Sequence, residues 1–292
     1  MKSFHSWRLI LSILSAFWLN SCGDDTQFAG GGIGGSGIIS SGTIASFGSI
    51  VVNGTRFDTS YAAVIVNGED LGIGDGVIRA NLDVGQVVTV AGPGRVGENS
   101  AIASHVIFNN NLQGPVEQIS RLDHANRALS VMGQPVIITP LTRFKGASID
   151  TINRDDVVAV SGFRDNTGAI QATFLERTGA FTSNMICEVN GFVSNLDTDM
   201  QTFMINNLVV NYALADTSQL PQGAPAGGQQ VEVEGTLGAI GGEMLAINIE
   251  LADSLASESA DEFEVMGIVT AVTTISEFTL GAQAVVVEEG AI

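Results

Sequence analysis

The stretch VTVAG, residues 88–92, returns as VAVSG at 158–162 and as VEVEG at 231–235. Both valines keep their phase in each copy, while the residue between them drifts from Thr89 to Ala159 to Glu232. A position that stays apolar beside one that tolerates Glu describes a strand with one buried face and one wet face. Each copy ends on a Gly two residues past the second valine, so the three read as the same strand of a repeated unit.

Upstream of these strands lies a second repeated element, Gly-x-apolar-x-x-apolar. It appears as GTIASF from Gly42, GPVEQI from Gly114, GFVSNL from Gly191 and GIVTAV from Gly267, spaced 72, 77 and 76 residues apart. An alternating run broken at a turn pair follows each one: IVVNG (50–54), LSVMG (129–133), FMINN (203–207) and FTLGA (278–282). Asn53-Gly54 is a strong two-residue hairpin signal, because both residues tolerate positive φ; Asn206-Asn207 is a weaker one. A closing strand ends each full unit, in SAIASHVIF (100–108), GAIQATFLER (168–177) and GEMLAINIEL (242–251).

The expected fold is therefore all-β, in tandem units of about five short strands, each a small OB-like β-barrel or else a compact β-sandwich. A barrel removes the unpaired edges that a Val- and Ile-rich chain would otherwise expose. The units span 42–112, 113–180 and 185–253, with a partial fourth at 263–292 that stops before any Val-x-Val-x-Gly strand. For that fourth unit three outcomes are open: a fragment of a longer product, which is favoured, docking of its strands on unit three, or completion by another chain. The segment LADSLASESADEF (251–263) is a short acidic helix or linker.

The first unit, notably FGSIVVNGTRFDTS and LDVGQVVTVAG, resembles the bacterial repeat family known as domain of unknown function 5666, which occurs in tandem in exported lipoproteins. Units two and three keep the Val-x-Val-x-Gly strand but lack the NG-x-RFD segment. The resemblance implies an exported, repeated β module and brings no catalytic residues with it.

The N-terminus fits that implication. Lys2 and Arg8 precede an apolar run, Leu9–Leu19, that is too short to span a bilayer but suits the core of a signal peptide. LNSC (19–22) follows and resembles the bacterial lipoprotein lipobox, although Asn20 departs from the usual small apolar residue. The resemblance implies that 1–21 is cleaved and that Cys22 takes the acyl chains. Several chains on one residue anchor stably where one would be marginal. The Gly/Ser-rich segment 22–41 then reads as a flexible tether. Its G-x-G-x-x-G match (Gly32, Gly34, Gly37) has no strand before it and no helix after it, so it is not a dinucleotide site. Gly23, and not Asp, follows Cys22, which points to the outer membrane in a Gram-negative envelope, facing the periplasm or the surface.

Composition limits the partners. The 292 residues carry a formal charge of -19; removing Lys2 and Arg8 leaves 10 basic against 31 acidic residues, a net of -21. Such a surface repels phosphate backbones, so nucleic acid is excluded as an expected partner. Both tryptophans, Trp7 and Trp18, belong to the signal, and without aromatic platforms carbohydrate binding is weakened.

Catalytic constellations are missing. Past the signal only His105 and His124 remain, in different units, and there is no G-x-S-x-G elbow or phosphate loop. Cys187 aligns with Phe263, an apolar slot, and is expected to be a buried hydrophobe. Acidic pairs occur at Asp155/Asp156 and Asp197/Asp199, but the best calcium candidates are Glu69, Asp70 and Asp75 in GEDLGIGDG, clustered acids in a Gly-containing loop. The resulting expectation is a non-enzymatic, cofactor-free envelope lipoprotein with a structural or interaction role. It would touch the membrane through its lipid and bind an envelope protein or polymer. The alternative is a module that binds calcium or an oligosaccharide in loops at the barrel mouths.

Overall fold

The computed structural model describes residues 37–252, 260–281 and 283–287. The signal peptide, Cys22, most of the tether and most of the acidic segment 251–263 lie outside the described residues.

Unit one contains β1 (Ile38–Thr43), β2 (Ile50–Val52), β3 (Thr55–Asp58), β4 (Ala63–Val66), β5 (Glu69–Ile73), α1 (Asp75–Asn81), β6 (Val87–Gly92), β7 (Gly94–Gly97), β8 (Ser100–Ile102) and β9 (His105–Phe108). Unit two contains β10 (Leu112–Arg121), β11 (Arg127–Val131), β12 (Gln134–Ile138), β13 (Arg143–Lys145), β14 (Asp156–Arg164) and β15 (Ile170–Ala180). Unit three contains β16 (Ile186–Phe192), β17 (Ser194–Asp197), β18 (Thr202–Ile205), β19 (Leu208–Asn211), β20 (Gln230–Leu237) and β21 (Met244–Leu251). β22 (Glu262–Val265), β23 (Val269–Thr274), β24 (Glu277–Leu280) and β25 (Gln283–Val286) belong to unit four.

Unit two shows the plan most plainly. β10 pairs antiparallel with β11, β11 with β12, β12 parallel with β15, β15 antiparallel with β14, and β14 back onto β10. This is a closed five-stranded barrel in the order 1-2-3-5-4-1, the OB-like arrangement. Unit three repeats it, with strand one split at Val193 into β16 and β17: β17–β18–β19, then β19 parallel to β21, β21 to β20, and β20 to β16. In unit one, strands four and five are broken into β6/β7 and β9/β8, β3 and β4 run parallel to β8 and β9, and a Ser46–Val51 bridge joins strands one and two.

The repeated residues now have physical reasons. The valines of the Val-x-Val-x-Gly strand are buried in all three units. Its Gly marks the place where strands four and five bend across each other: a Cβ on Gly92, Gly162 or Gly235 would stand 1.8, 2.3 or 2.5 Å from the carbonyl oxygen of Ile102, Gln171 or Leu245. At Gly162 and Gly235 the register shifts by a bulge, the device that curls a strand around a small barrel. The Gly of the other motif, at 42, 114, 191 and 267, lies where strand one passes the hairpin of strands two and three. There a Cβ would stand 2.3 Å from Asn53, Met132 or Ile205 and 3.0 Å from Leu280.

Units two and three share one apolar cluster, from Leu112 and Val160 through to Phe203 and Ile249; unit one has its own around Phe57, Val64 and Val90. Their hydrogen bonding is also continuous, because β10 pairs with β16 through Leu112–Val189 and Gln113–Glu188. Fully buried Gln134 donates to the Ile205 carbonyl at 2.7 Å and accepts from Asn206 at 2.7 Å, joining the two hairpins.

Three expectations are corrected. The tether does not run to residue 41: Ile38, Ile39 and Ser40 are buried in β1, which pairs with β6 on one side and with β22 on the other. The segment GEDLGIGDG is not one loop, since Glu69–Ile73 is β5 and Asp75 opens α1. Its hairpin with β4 turns at Asn67-Gly68, both with positive φ, the same dipeptide signal as at 53–54. Finally, of the outcomes open for unit four, docking by strand pairing on unit three is not the one seen: among the described residues β22 pairs with β1 of unit one.

Arg95 fastens that last contact. Its guanidinium reaches Glu262 at 2.6 Å and also pairs with Glu264, while Thr55 donates to Glu264 at 2.8 Å. Hydrogen bonding to Arg95 holds the Glu262 carboxyl below its ordinary value of 4.5. A carboxyl depressed in the folded state stabilises above its unfolded pKa, and that stabilisation fades as pH falls through the lower, folded value. Below about pH 4 the β22–β1 pairing should therefore loosen. Amide exchange at 262–265, corrected for intrinsic rate, should rise relative to β6, and Glu262→Gln should flatten the dependence.

Candidate functional site

Several concave regions lie between units, and two of them gather buried or clustered charged side chains. The larger, of about 960 Å³, is lined by units two, three and four together with Ser41 and Val87 of unit one. Arg164, the last residue of β14, lies in its wall beside Asn111, Asn190, Asn206, Thr270 and Gln283. One Arg164 nitrogen donates to Gly168 O at 3.0 Å and another to Asn190 O, while the buried Nε has no partner. No carboxylate pairs with it among the described residues, and burial pushes its pKa down to about 10. The group has two structural bonds, tying strand four of unit two to strand one of unit three, and a donor left over.

The smaller region, of about 450 Å³, is acidic. The β4–β5 turn presents Glu69 towards Glu188, Glu232, Glu234 and Glu250 on the outer face of unit three. Antiparallel register sets Glu188 directly opposite Glu234, and Glu232 opposite Glu250. Like charges across a ladder destabilise it. Burial, followed by the Glu234 charge, raises the Glu188 carboxyl above 4.5. A raised carboxyl penalises the folded state at neutral pH and is relieved as pH falls. Glu188→Gln should therefore stabilise the protein by about 0.5 kcal/mol at pH 7. That gain, read as a higher melting temperature, should shrink as the pH approaches 4.5.

The sequence-derived candidates are dispersed. Glu69 lies in the acidic groove, Asp70 accepts from Gly72 N at 2.9 Å within β5, and Asp75 accepts from Thr59 Oγ1 at 2.5 Å. Among the described residues no three His, Cys, Asp or Glu side chains are gathered as a metal ion requires. Asp156 pairs with Arg177 at 2.6 Å, and Asp197 accepts turn N–H groups from Asp199 and Met200. Exposed His105 contacts Ser104. Cys187 is fully buried, and burial, reinforced by Glu188, raises its thiol to about 11, which leaves no thiolate at neutral pH. Arg164 was not singled out by the sequence, because a lone Arg at a strand end has no local signature; only the meeting of three units makes it unusual.

Comparison with known proteins agrees with the repeat. The family model described as Domain of unknown function (DUF5666) matches residues 36–106 and again 113–176. The two matched segments coincide with the first two barrels, and unit three repeats the same strand order. No curated protein matches. A solved structure titled "drosophila Unr CSD456" matches at 12% identity, covering 59% of this chain and 79% of that one with a TM-score of 0.20. The fold assignment rests on the strand pairings and not on that likeness.

Proposed function

We propose that the chain is a non-enzymatic, lipid-anchored protein of the bacterial cell envelope whose tandem barrels act as structural or protein-interaction modules. One observation carries this reading: every residue type that recurs from unit to unit has a packing task. The valines fill cores, one Gly permits the bulge and the other lets strand one pass a hairpin. What is repeated is an architecture, which suits display of surfaces. The three-part leader ending in LNSC and the Gly23 that follows Cys22 support anchoring at the outer membrane.

Cross-linking in intact cells, combined with fatty-acid labelling, tests the proposal. Label should enter the wild type and be absent from Cys22→Ala, and cross-links should join the barrels to envelope proteins or polymer. Uptake of label by Cys22→Ala would remove the anchor; cross-links confined to cytoplasmic proteins would remove the envelope role.

The large cavity favours a second reading, a binding module for a small ligand. A guanidinium without a carboxylate partner suits an anionic group better than calcium. Inorganic phosphate or sulfate should then raise the melting temperature of the wild type and not of Arg164→Gln.

A further inference from the structure

Arg164 is not part of what the units repeat. Two residues past the strand-four glycine stand Gly94 in unit one and Leu237 in unit three, so the barrel closes without an arginine there. In unit two the guanidinium belongs to a bonded cluster. One of its nitrogens donates to Asn190 O, Asn190 N–H donates to Asn111 O at 2.9 Å, and Gly162 N–H donates to Asn111 Oδ1 at 2.7 Å. Arg164 ends β14, Asn111 leads into β10 and Asn190 lies in β16, so the cluster is built from the closed barrels of units two and three alone. All three residues line the large cavity.

Donors are in surplus in this cluster. Each acceptor already holds a proton donor: Gly168 O and Asn190 O hold Arg164, Asn111 O and Oδ1 hold backbone N–H groups, and Asn190 Oδ1 holds Gln230 Nε2 at 2.9 Å. Arg164 Nε is buried without a partner, and Asn111 and Asn190 each keep an Nδ2 with no acceptor among the described residues. Leaving a buried donor unmade is costly, and a positive group with spare donors is complemented by an oxyanion. Asp165, the one acid in the lining among the described residues, accepts within its own loop from Thr167, Ala169 and Gln171. Donors from three chain segments suit oxygens set on several sides of one atom, as in a phosphoryl group, better than a flat carboxylate. The formal charge of -19 opposes polyanions at long range, which favours a compact ligand.

We propose that Arg164, Asn111 and Asn190 form a binding site for the phosphoryl group of a compact, soluble ligand, and that the bound group clamps unit two to unit three. Arg164 and Asn111 flank the second barrel's strands and Asn190 belongs to the third barrel, so one anion held by all three bridges the joint. The inference deepens the small-ligand reading above and rests on it. That reading needs Arg164 alone; this one also needs the two amides and acts on the joint.

The test titrates the full chain calorimetrically with inorganic phosphate, glycerol phosphate and acetate, and follows amide exchange of the Asn190 N–H. Phosphate should bind saturably, and at saturation that exchange should slow. Asn111→Asp and Asn190→Asp keep the oxygen that accepts from Gly162 or Gln230 and lose the spare donor; each should weaken binding about tenfold. Asn166→Asp adds the same charge elsewhere in the lining and should stay within about twofold of the wild type. Glycerol phosphate bound more tightly than phosphate makes the ligand an ester, and equal affinity makes it phosphate itself; either supports the site. Acetate bound as tightly as phosphate overturns the phosphoryl assignment. Binding that is unchanged in both Asn variants, or that leaves Asn190 exchange unmoved, overturns the inference and leaves the Arg164 anion reading standing. No phosphate binding at all removes both.

Discussion

Replacing Phe203 with Ala should lower stability by about 3–5 kcal/mol, and the loss should reach unit two as well as unit three. Phe203 is among the largest fully buried side chains, and its ring lies 5.8 Å from that of Tyr212. Deleting a buried aromatic removes its transfer energy and leaves a cavity that a closed barrel relaxes into poorly. Such a loss is a large part of the roughly 5–15 kcal/mol that a domain has to spare. The spread to unit two follows from the shared apolar cluster and the β10–β16 pairing, which make the two barrels one cooperative body. Unit one has a separate cluster, and Val87 N–H to Ser161 Oγ and Lys145 to Asp83 are among its polar contacts with unit two. Calorimetry of Phe203→Ala should show one transition shifted strongly downward and another, belonging to unit one, nearly unmoved. If unit two keeps its amide protection while unit three loses it, the single-body description is wrong.

Gly235→Val should be nearly as damaging, by about 3 kcal/mol, although it adds apolar bulk to a strand. The new Cβ would stand 2.5 Å from Leu245 O and 2.9 Å from Met244 Cγ, and the backbone oxygen cannot swing aside. Straightening the bulge between Glu234 and Gly235 would shift the register of β20 against β21 and expose the inward valines. Gly238→Val, three residues on, meets nothing within 4 Å and serves as the control. Denaturant titration should show a lower midpoint for the first variant and an almost unchanged one for the second. Equal midpoints would mean that the glycine is dispensable and that the motif has another cause.

The sequence by itself determined the strand content, the repeat and the inward faces, because alternation at a period of two is a local property that every copy restates. Val88, Val158 and Val231 were legible as core for that reason, and so was Cys187, through its alignment with Phe263. Asn53-Gly54 likewise carried its turn in its own residues. Tertiary structure alone decided that β1 begins at Ile38, since a strand start after a glycine run is fixed by its partners β6 and β22. Only the fold could also show that Glu69 faces four glutamates of unit three, that Arg164 is left with an unbonded Nε, and that β22 adds to unit one. Those are contacts between units far apart in the chain, and residue spacing along the chain carries no record of which outer faces meet.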